Sequence, residues 1–140
     1  MFASNKNSDP NMQVKETLPE ETYEILQHDK DAYLIDVRTD YEWENVGHPD
    51  LTKAKNNLVK LSWRTLPQMV VNTKFSEELE QIVSNKDSKL FFICRAGGRS
   101  YEAATAAIKS GFLNSYNVIG GFEGHGEDSG WKFSNLPWRK

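Results

Sequence analysis

The sequence predicts an α/β fold in which helices cover both faces of a parallel sheet. Three observations carry that expectation. Residues 90–93 (Leu90, Phe91, Phe92, Ile93) form an unbroken apolar run, and a short run rich in aromatic residues suits a strand buried on both faces. Residues 32–37, AYLIDV, form a second run of the same kind. Between and after the strands lie helical patterns, such as Ala103, Ala106 and Ala107 followed by Gly111 as a left-handed stop. Strands alternating with helices imply crossover connections, and crossovers join parallel strands.

In chain order, residues 1–12 are polar and are expected to form a flexible tail, leaving residues 13–140 as a single domain. Residues 13–17 read as a short edge strand. A helix is expected over 19–27, with Pro19 in its first turn, Glu20 and Glu21 near its positive end, and Tyr23 and Leu26 on one face. Leu18 occupies its cap, where an oxygen-bearing side chain is usual. His28 reads as solvated surface. The strand over 32–37 runs out in Asp36 and Arg38, at the sheet end where open α/β sheets bind ligands. These two charges read as an ion pair, as a helix cap or as part of a site.

A short helix follows over 40–46, with Asp40 as N-cap and Trp43 facing inward, and Gly47 and His48 turn the chain. Residues 58–63 alternate as a strand does, whereas the segment up to Thr73 carries no clear pattern. The next helix is expected over 75–83, capped by Ser76, with Glu77 and Glu78 in its first turn and Leu79, Ile82 and Val83 as its apolar stripe. Residues 85–89 form a polar turn. A last strand over 114–119 leads to Gly120 and Gly121, which permit a sharp bend or a close backbone approach. In the loop-rich end, Trp131, Phe133, Leu136 and Trp138 are expected to fold back as an aromatic clasp. His125, Glu127 and Asp128 have no second ligand cluster and read as solvated loop, so no metal is expected. No repeat is visible.

Composition narrows the function. A chain of 140 residues is long enough for one core. A net charge of −3 gives no overall basic footprint, so no nucleic-acid partner is expected. One cysteine cannot form an internal disulfide, which fits a reducing compartment. The first residues, MFASNKNSDPN, lack the apolar core of a signal peptide, and no window has the length of a membrane span. These features predict a soluble, cytoplasmic protein.

The chemistry points to the loop after the aromatic strand. Cys94 closes that strand, and Arg95, Ala96, Gly97, Gly98, Arg99 and Ser100 lead into the following helix. Such a loop aims backbone N–H groups and the positive end of the helix dipole at one spot. With two arginines added, the surroundings favour a thiolate and an anionic substrate.

The segment FFICRAGGRS resembles the active-site loop of the rhodanese family of sulfurtransferases, in which a cysteine opens a loop of the form Cys-x-x-Gly-x-Arg-Ser. LIDVRTDYEWENVGHPD resembles that family's Asp-Val-Arg, acidic-aromatic and Gly-His segment, and YNVIGGF resembles its strand ending in a glycine pair. The three blocks span residues 34–122 in the family's order. His48 is followed by Pro49 and Asp50 where the family more often has a hydrophobic residue and a Pro–Gly turn, so His48 is read as structural.

The resemblance implies a rhodanese-like three-layer α/β/α domain around a five-stranded parallel sheet. It implies a sulfurtransferase in which Cys94 carries sulfur as a persulfide from a donor such as thiosulfate to cyanide or a thiol. Arg95 to Ser100 would bind the substrate, with Arg95 meeting an oxyanion, Arg99 bracing the loop and Ser100 capping the helix. Asp36 and Arg38 would support the loop, Asp36 pairing with an arginine such as Arg99. No cofactor is needed. The lone thiol leaves the sulfur partner outside the chain, either a small molecule or a protein persulfide.

Two rivals differ in class. A phosphatase or arsenate reductase of the Cys-x5-Arg type needs a wider loop than the four residues between Cys94 and Arg99. A rhodanese-like binding module would lack the thiol.

Overall fold

The computed structural model describes residues 13–125 and 129–140. The expected tail over 1–12, and the Glu127 and Asp128 of the loop considered for a metal, lie outside the described residues. Five strands form one parallel sheet: β1 (Lys15–Thr17), β2 (Ala32–Asp36), β4 (Leu58–Lys60), β7 (Lys89–Ile93) and β8 (Ser115–Val118). Their order across the sheet is β1-β8-β7-β2-β4, with β1 at one edge as its sequence predicts. The register sets Asp36 beside Ile93, so both apolar runs end at the same level. The assigned strand stops at Lys60, but the pairing expected over 58–63 continues: Leu61 N–H donates to the Asp36 carbonyl at 2.9 Å and Trp63 N–H to the Val37 carbonyl at 3.0 Å.

Alternation within the central strand divides the core. Leu90 and Phe92 point to one face, with Ile35 and Val37, against Phe75 and Leu79 of α3 (Phe75–Ile82) and Ala103, Ala104 and Ala107 of α4 (Gly98–Lys109). Phe91 and Ile93 point to the other face, with Leu34 and Val118, against Leu26 of α1 (Pro19–His28) and Trp131 of the 3-10 turn Trp131–Phe133. A two-residue side-chain period therefore produces three layers from one strand. Cys94 has the parity of Leu90 and Phe92 and faces α3 and α4.

Several local expectations are corrected. Helix α2 (Asp40–Asn45) is capped by Thr39, not Asp40: the Thr39 hydroxyl accepts the Glu42 N–H, and Glu42 accepts the Thr39 N–H. This reciprocal box satisfies two end groups together, which Asp40 cannot do. Ser76 does not cap α3, because the helix begins at Phe75 and Lys74 is its N-cap. Trp43 is only half-buried, with the Lys60 ammonium 5.8 Å from its ring. At the cap of α1, Leu18 lacks an oxygen, yet its N–H donates to the Glu21 carboxylate at 3.0 Å.

The unpatterned segment folds into a hairpin of β5 (Arg64–Thr65) and β6 (Val70–Val71), with Leu66, Val70 and Val71 exposed. Strand β3 (His48–Pro49) pairs antiparallel with β9 (Trp138–Arg139). The expected clasp holds in part. Trp131 is fully buried, with its indole N–H donated to the Pro137 carbonyl, and Trp138 packs edge-on against Phe122. Phe133 turns outward to solvent.

Candidate active site

Helix α4 begins at Gly98, two residues earlier than Ser100, because Gly97 adopts φ +124 and turns the chain at once. Only glycine takes that conformation without strain. The loop from Cys94 to Gly97 is therefore very short, and the Gly97 N–H donates to Cys94 Sγ at 3.1 Å. Ser100 does not cap the helix. It lies inside the first turn, fully buried, with its hydroxyl 3.2 Å from Cys94 Sγ and 2.6 Å from Asn117 Oδ1. The Asn117 amide NH2 donates to the Gly97 carbonyl at 3.1 Å. The thiol thus closes a ring of hydrogen bonds with Gly97, Ser100 and Asn117. Cys94 is 1% exposed, so its sulfur forms the floor of the loop rather than its rim.

Arg99 reaches across to α2 and donates to both oxygens of Glu42, at 2.8 and 2.9 Å. Burial alone pushes the Glu42 carboxyl up, but the Arg99 hydrogen bonds, the Thr39 N–H and the Arg99 charge outweigh it and hold the group at about 2. The same hydrogen bonds raise Arg99 above its ordinary value against the cost of burial, helped by the charges of Glu42 and Cys94. Arg95 is mostly exposed, its Nε 3.5 Å from the Glu123 carboxylate. Ala96 and Gly97 are half-buried and Gly98 is exposed.

Asp36 does not pair with Arg99. It holds its own near neighbour, Arg38, at 2.9 and 2.7 Å, and both are completely buried. The Arg38 backbone N–H also donates to Asp36 Oδ1, at 3.2 Å, so backbone and side chain of Arg38 hold the carboxylate together. Arg38 also donates to the Gly47 carbonyl at 2.9 Å and lies 4.4 Å from the Phe122 ring centre. Phe122 N–H in turn donates to the Cys94 carbonyl at 2.8 Å, so this buried pair stands behind the loop. Gly121 packs so closely that a Cβ there would lie 2.5 Å from the Cys94 carbonyl oxygen. His48 lies in β3, its Nδ1 2.9 Å from the Pro49 carbonyl.

A cleft of about 380 Å³ opens above the loop, lined by Glu42, Val46, Met69, Arg95, Arg99 and Glu123. A larger depression of about 660 Å³ lies at the opposite end of the sheet, among residues such as Asp29, Lys30 and Lys89. Its charges include a Lys89–Asp29 pair at 3.1 Å, and no residue of the Cys94 loop lines it, whereas Arg95 and Arg99 line the smaller cleft, which is therefore the candidate. Among the described residues no group of three His, Cys, Asp or Glu side chains is placed to hold a metal. No helix among them is long and apolar enough to cross a membrane.

Sequence reasoning missed Glu42, Asn117 and Glu123. A signal for Glu42 exists, since it stands three residues after Thr39 in a capping-box pattern. For Asn117 the signal is an amide inside an otherwise buried strand, a group that needs partners.

A parallel five-stranded sheet with a thiol at the mouth of its central strand defines a rhodanese-like fold, and solved rhodanese-like proteins share it at 12–20% identity. Residues 15–140 match the family model described as the STR4 middle domain, and the chain belongs to that rhodanese-like family. It is 40% identical over 129 residues to uncharacterized protein RC0915 of Rickettsia conorii, covering 91% of this chain and 99% of that one. The crystal structure of Rv0390 from M. tuberculosis superposes with a TM-score of 0.79 at 34% identity, over 90% of this chain and 97% of that one. The adenylyltransferase and sulfurtransferase UBA4 of Lodderomyces elongisporus is 29% identical over 85% of this chain and 25% of its own length.

Proposed function

We propose that this chain is a sulfurtransferase that moves sulfane sulfur through a Cys94 persulfide. One observation carries the reading: Cys94 Sγ lies at the end of the central strand, 3.1 Å from the Gly97 N–H and 3.2 Å from the Ser100 hydroxyl, at the start of α4. Donors so placed stabilise negative charge on sulfur. Family membership supports the same class of chemistry.

With thiosulfate as donor, the Cys94 thiolate attacks the outer sulfur. A Cys94–S bond forms, the sulfur–sulfur bond of thiosulfate breaks, and sulfite leaves with the electron pair. Cyanide or a thiolate then takes the outer sulfur of the persulfide and restores the Cys94 thiolate. Arg95, exposed and only loosely paired, is the cation free to meet an oxyanion donor, whereas Arg99 is committed to Glu42 and holds the loop. Ala96, Gly97 and Gly98 contribute backbone, and Asp36 with Arg38 supports the loop from behind. Four residues between Cys94 and Arg99 leave less room than a Cys-x5-Arg phosphate loop, which favours sulfur over phosphorus.

A second reading, relay of sulfur from a partner protein's persulfide, draws on the single cysteine and its depth below the rim. Intact-mass measurement after incubation with thiosulfate, beside Cys94→Ser, tests both. Gain of one sulfur atom in the native chain alone, removed by cyanide, is the expected result. No gain from thiosulfate but gain from a persulfidated protein favours the relay, and no gain from either overturns sulfur transfer.

A further inference from the structure

Ser100 has one hydroxyl proton and two acceptors within reach, Cys94 Sγ at 3.2 Å and Asn117 Oδ1 at 2.6 Å. The orientation of the Asn117 amide is fixed independently. Its other end lies 3.1 Å from the Gly97 carbonyl, which only accepts, so that end is the NH2 and Oδ1 must face Ser100. Ser100 is fully buried and Asn117 is 7% exposed. Water therefore competes little for either partner, and an unmade hydrogen bond here is costly. The hydroxyl cannot serve both acceptors fully.

We propose that Asn117 is a positioning residue that sets the ionisation of Cys94 by competing with its thiolate for the Ser100 proton. The inference rests on Cys94 being the reacting thiol. In the neutral state the Ser100 hydroxyl donates to Asn117 and presents its lone pairs to the Cys94 S–H. On ionisation the hydroxyl turns to the thiolate, and Asn117 Oδ1 loses its donor. Once a persulfide forms, the charge moves to the outer sulfur and the hydroxyl returns to Asn117. The amide thus opposes the free thiolate, which the Gly97 N–H and the nearby cations favour.

Other charged groups near Cys94 act alongside this switch. Arg95 and Arg99 belong to its own loop and helix, and Glu42 of α2 pairs with Arg99. Glu123, beyond β8, pairs with Arg95. The buried Asp36–Arg38 pair stands at the end of β2. None of these accepts from Ser100 in the structure, so a double-mutant cycle separates their effect from that of Asn117.

The test is titration of the Cys94 thiolate by its ultraviolet absorbance, with Cys94→Ser as the blank. Asn117→Ala frees the hydroxyl for the thiolate and lowers the thiol pKa by about one unit, the scale of one hydrogen bond. Ser100→Ala removes the donor and raises it. In the Ser100→Ala background, Asn117→Ala produces no further shift. Equal shifts in both backgrounds, or no shift in either, overturn the proposal, because a loosened loop would act without Ser100. If Asn117→Ala does not fold, Asn117→Asp serves instead. Its carboxylate grips the Ser100 proton harder and raises the thiol pKa more with Ser100 present than without, and equal rises overturn the proposal. The titration needs no sulfur donor. A chain that shows the coupling but takes up no sulfur refutes the sulfurtransferase reading and not this inference.

Discussion

At the scale of the residue, the site depends on small side chains as much as on charged ones. Gly121 has φ +61, and a Cβ there would meet the Cys94 carbonyl at 2.5 Å and the Arg95 carbonyl carbon at 2.7 Å. The obstacle is backbone of the Cys94 loop, which cannot rotate aside. Gly121→Ala is therefore expected to cost about 2 kcal/mol or more, combining left-handed strain with overpacking. It should also displace Cys94 from the Gly97 N–H. Denaturant unfolding and sulfur loading check this together, and an unchanged midpoint with full loading would refute it.

At the scale of the element, the Glu42–Arg99 pair is the tie between α2 and α4. The two side chains are 16% and 17% exposed, so solvent screens them little. The Glu42 pKa falls from 4.5 to about 2 on folding. A depressed carboxyl contributes stability that is complete above its unfolded value and is lost as pH falls through its folded value. That contribution is roughly 3 kcal/mol, present above about pH 4.5 and gone near pH 2. Glu42→Gln is expected to be less stable than the native chain at neutral pH, with the gap closing across that acid window. Acid titration followed by circular dichroism reads the difference. A gap that persists undiminished at pH 2 would show that the tie is not ionic.

At the scale of the whole molecule, the chain's last described segment completes the core that carries the loop. Trp131 is fully buried beneath the face of Phe91 and Ile93, edge-on to Tyr23 at 5.8 Å. Strand β9 then clips β3, next to the Gly47 that receives Arg38. The apolar layer on that side is thus shared between α1 and residues more than one hundred positions later. Trp131→Ala should cost about 3–5 kcal/mol, as truncation of large core aromatics does. The loss should lower the single unfolding transition rather than release the segment separately. Two resolved transitions in calorimetry would show that the segment is an appendage.

The sequence by itself determined the layering and the location of the thiol. Short apolar runs rich in aromatic and branched residues suit strands buried on both faces, and the glycines and arginines after Cys94 suit a tight electropositive turn into a helix. It also determined Gly111 as a helix stop, because a left-handed position selects glycine. The pairing of charges was decided only in three dimensions. Asp36 stands two residues from Arg38 and far from Arg99 in sequence, yet either pairing is compatible with the residues alone. Thr39 outcompetes Asp40 as cap because Glu42 completes a reciprocal box, and that same Glu42 then meets Arg99 from fifty-seven positions away. Asn117 comes to Ser100 only through the β7–β8 register. Burial and backbone pattern are local properties that composition records. Which polar group answers which is set by the packing of distant elements, as the partners that Ser100, Asn117 and Glu42 find around the Cys94 loop show.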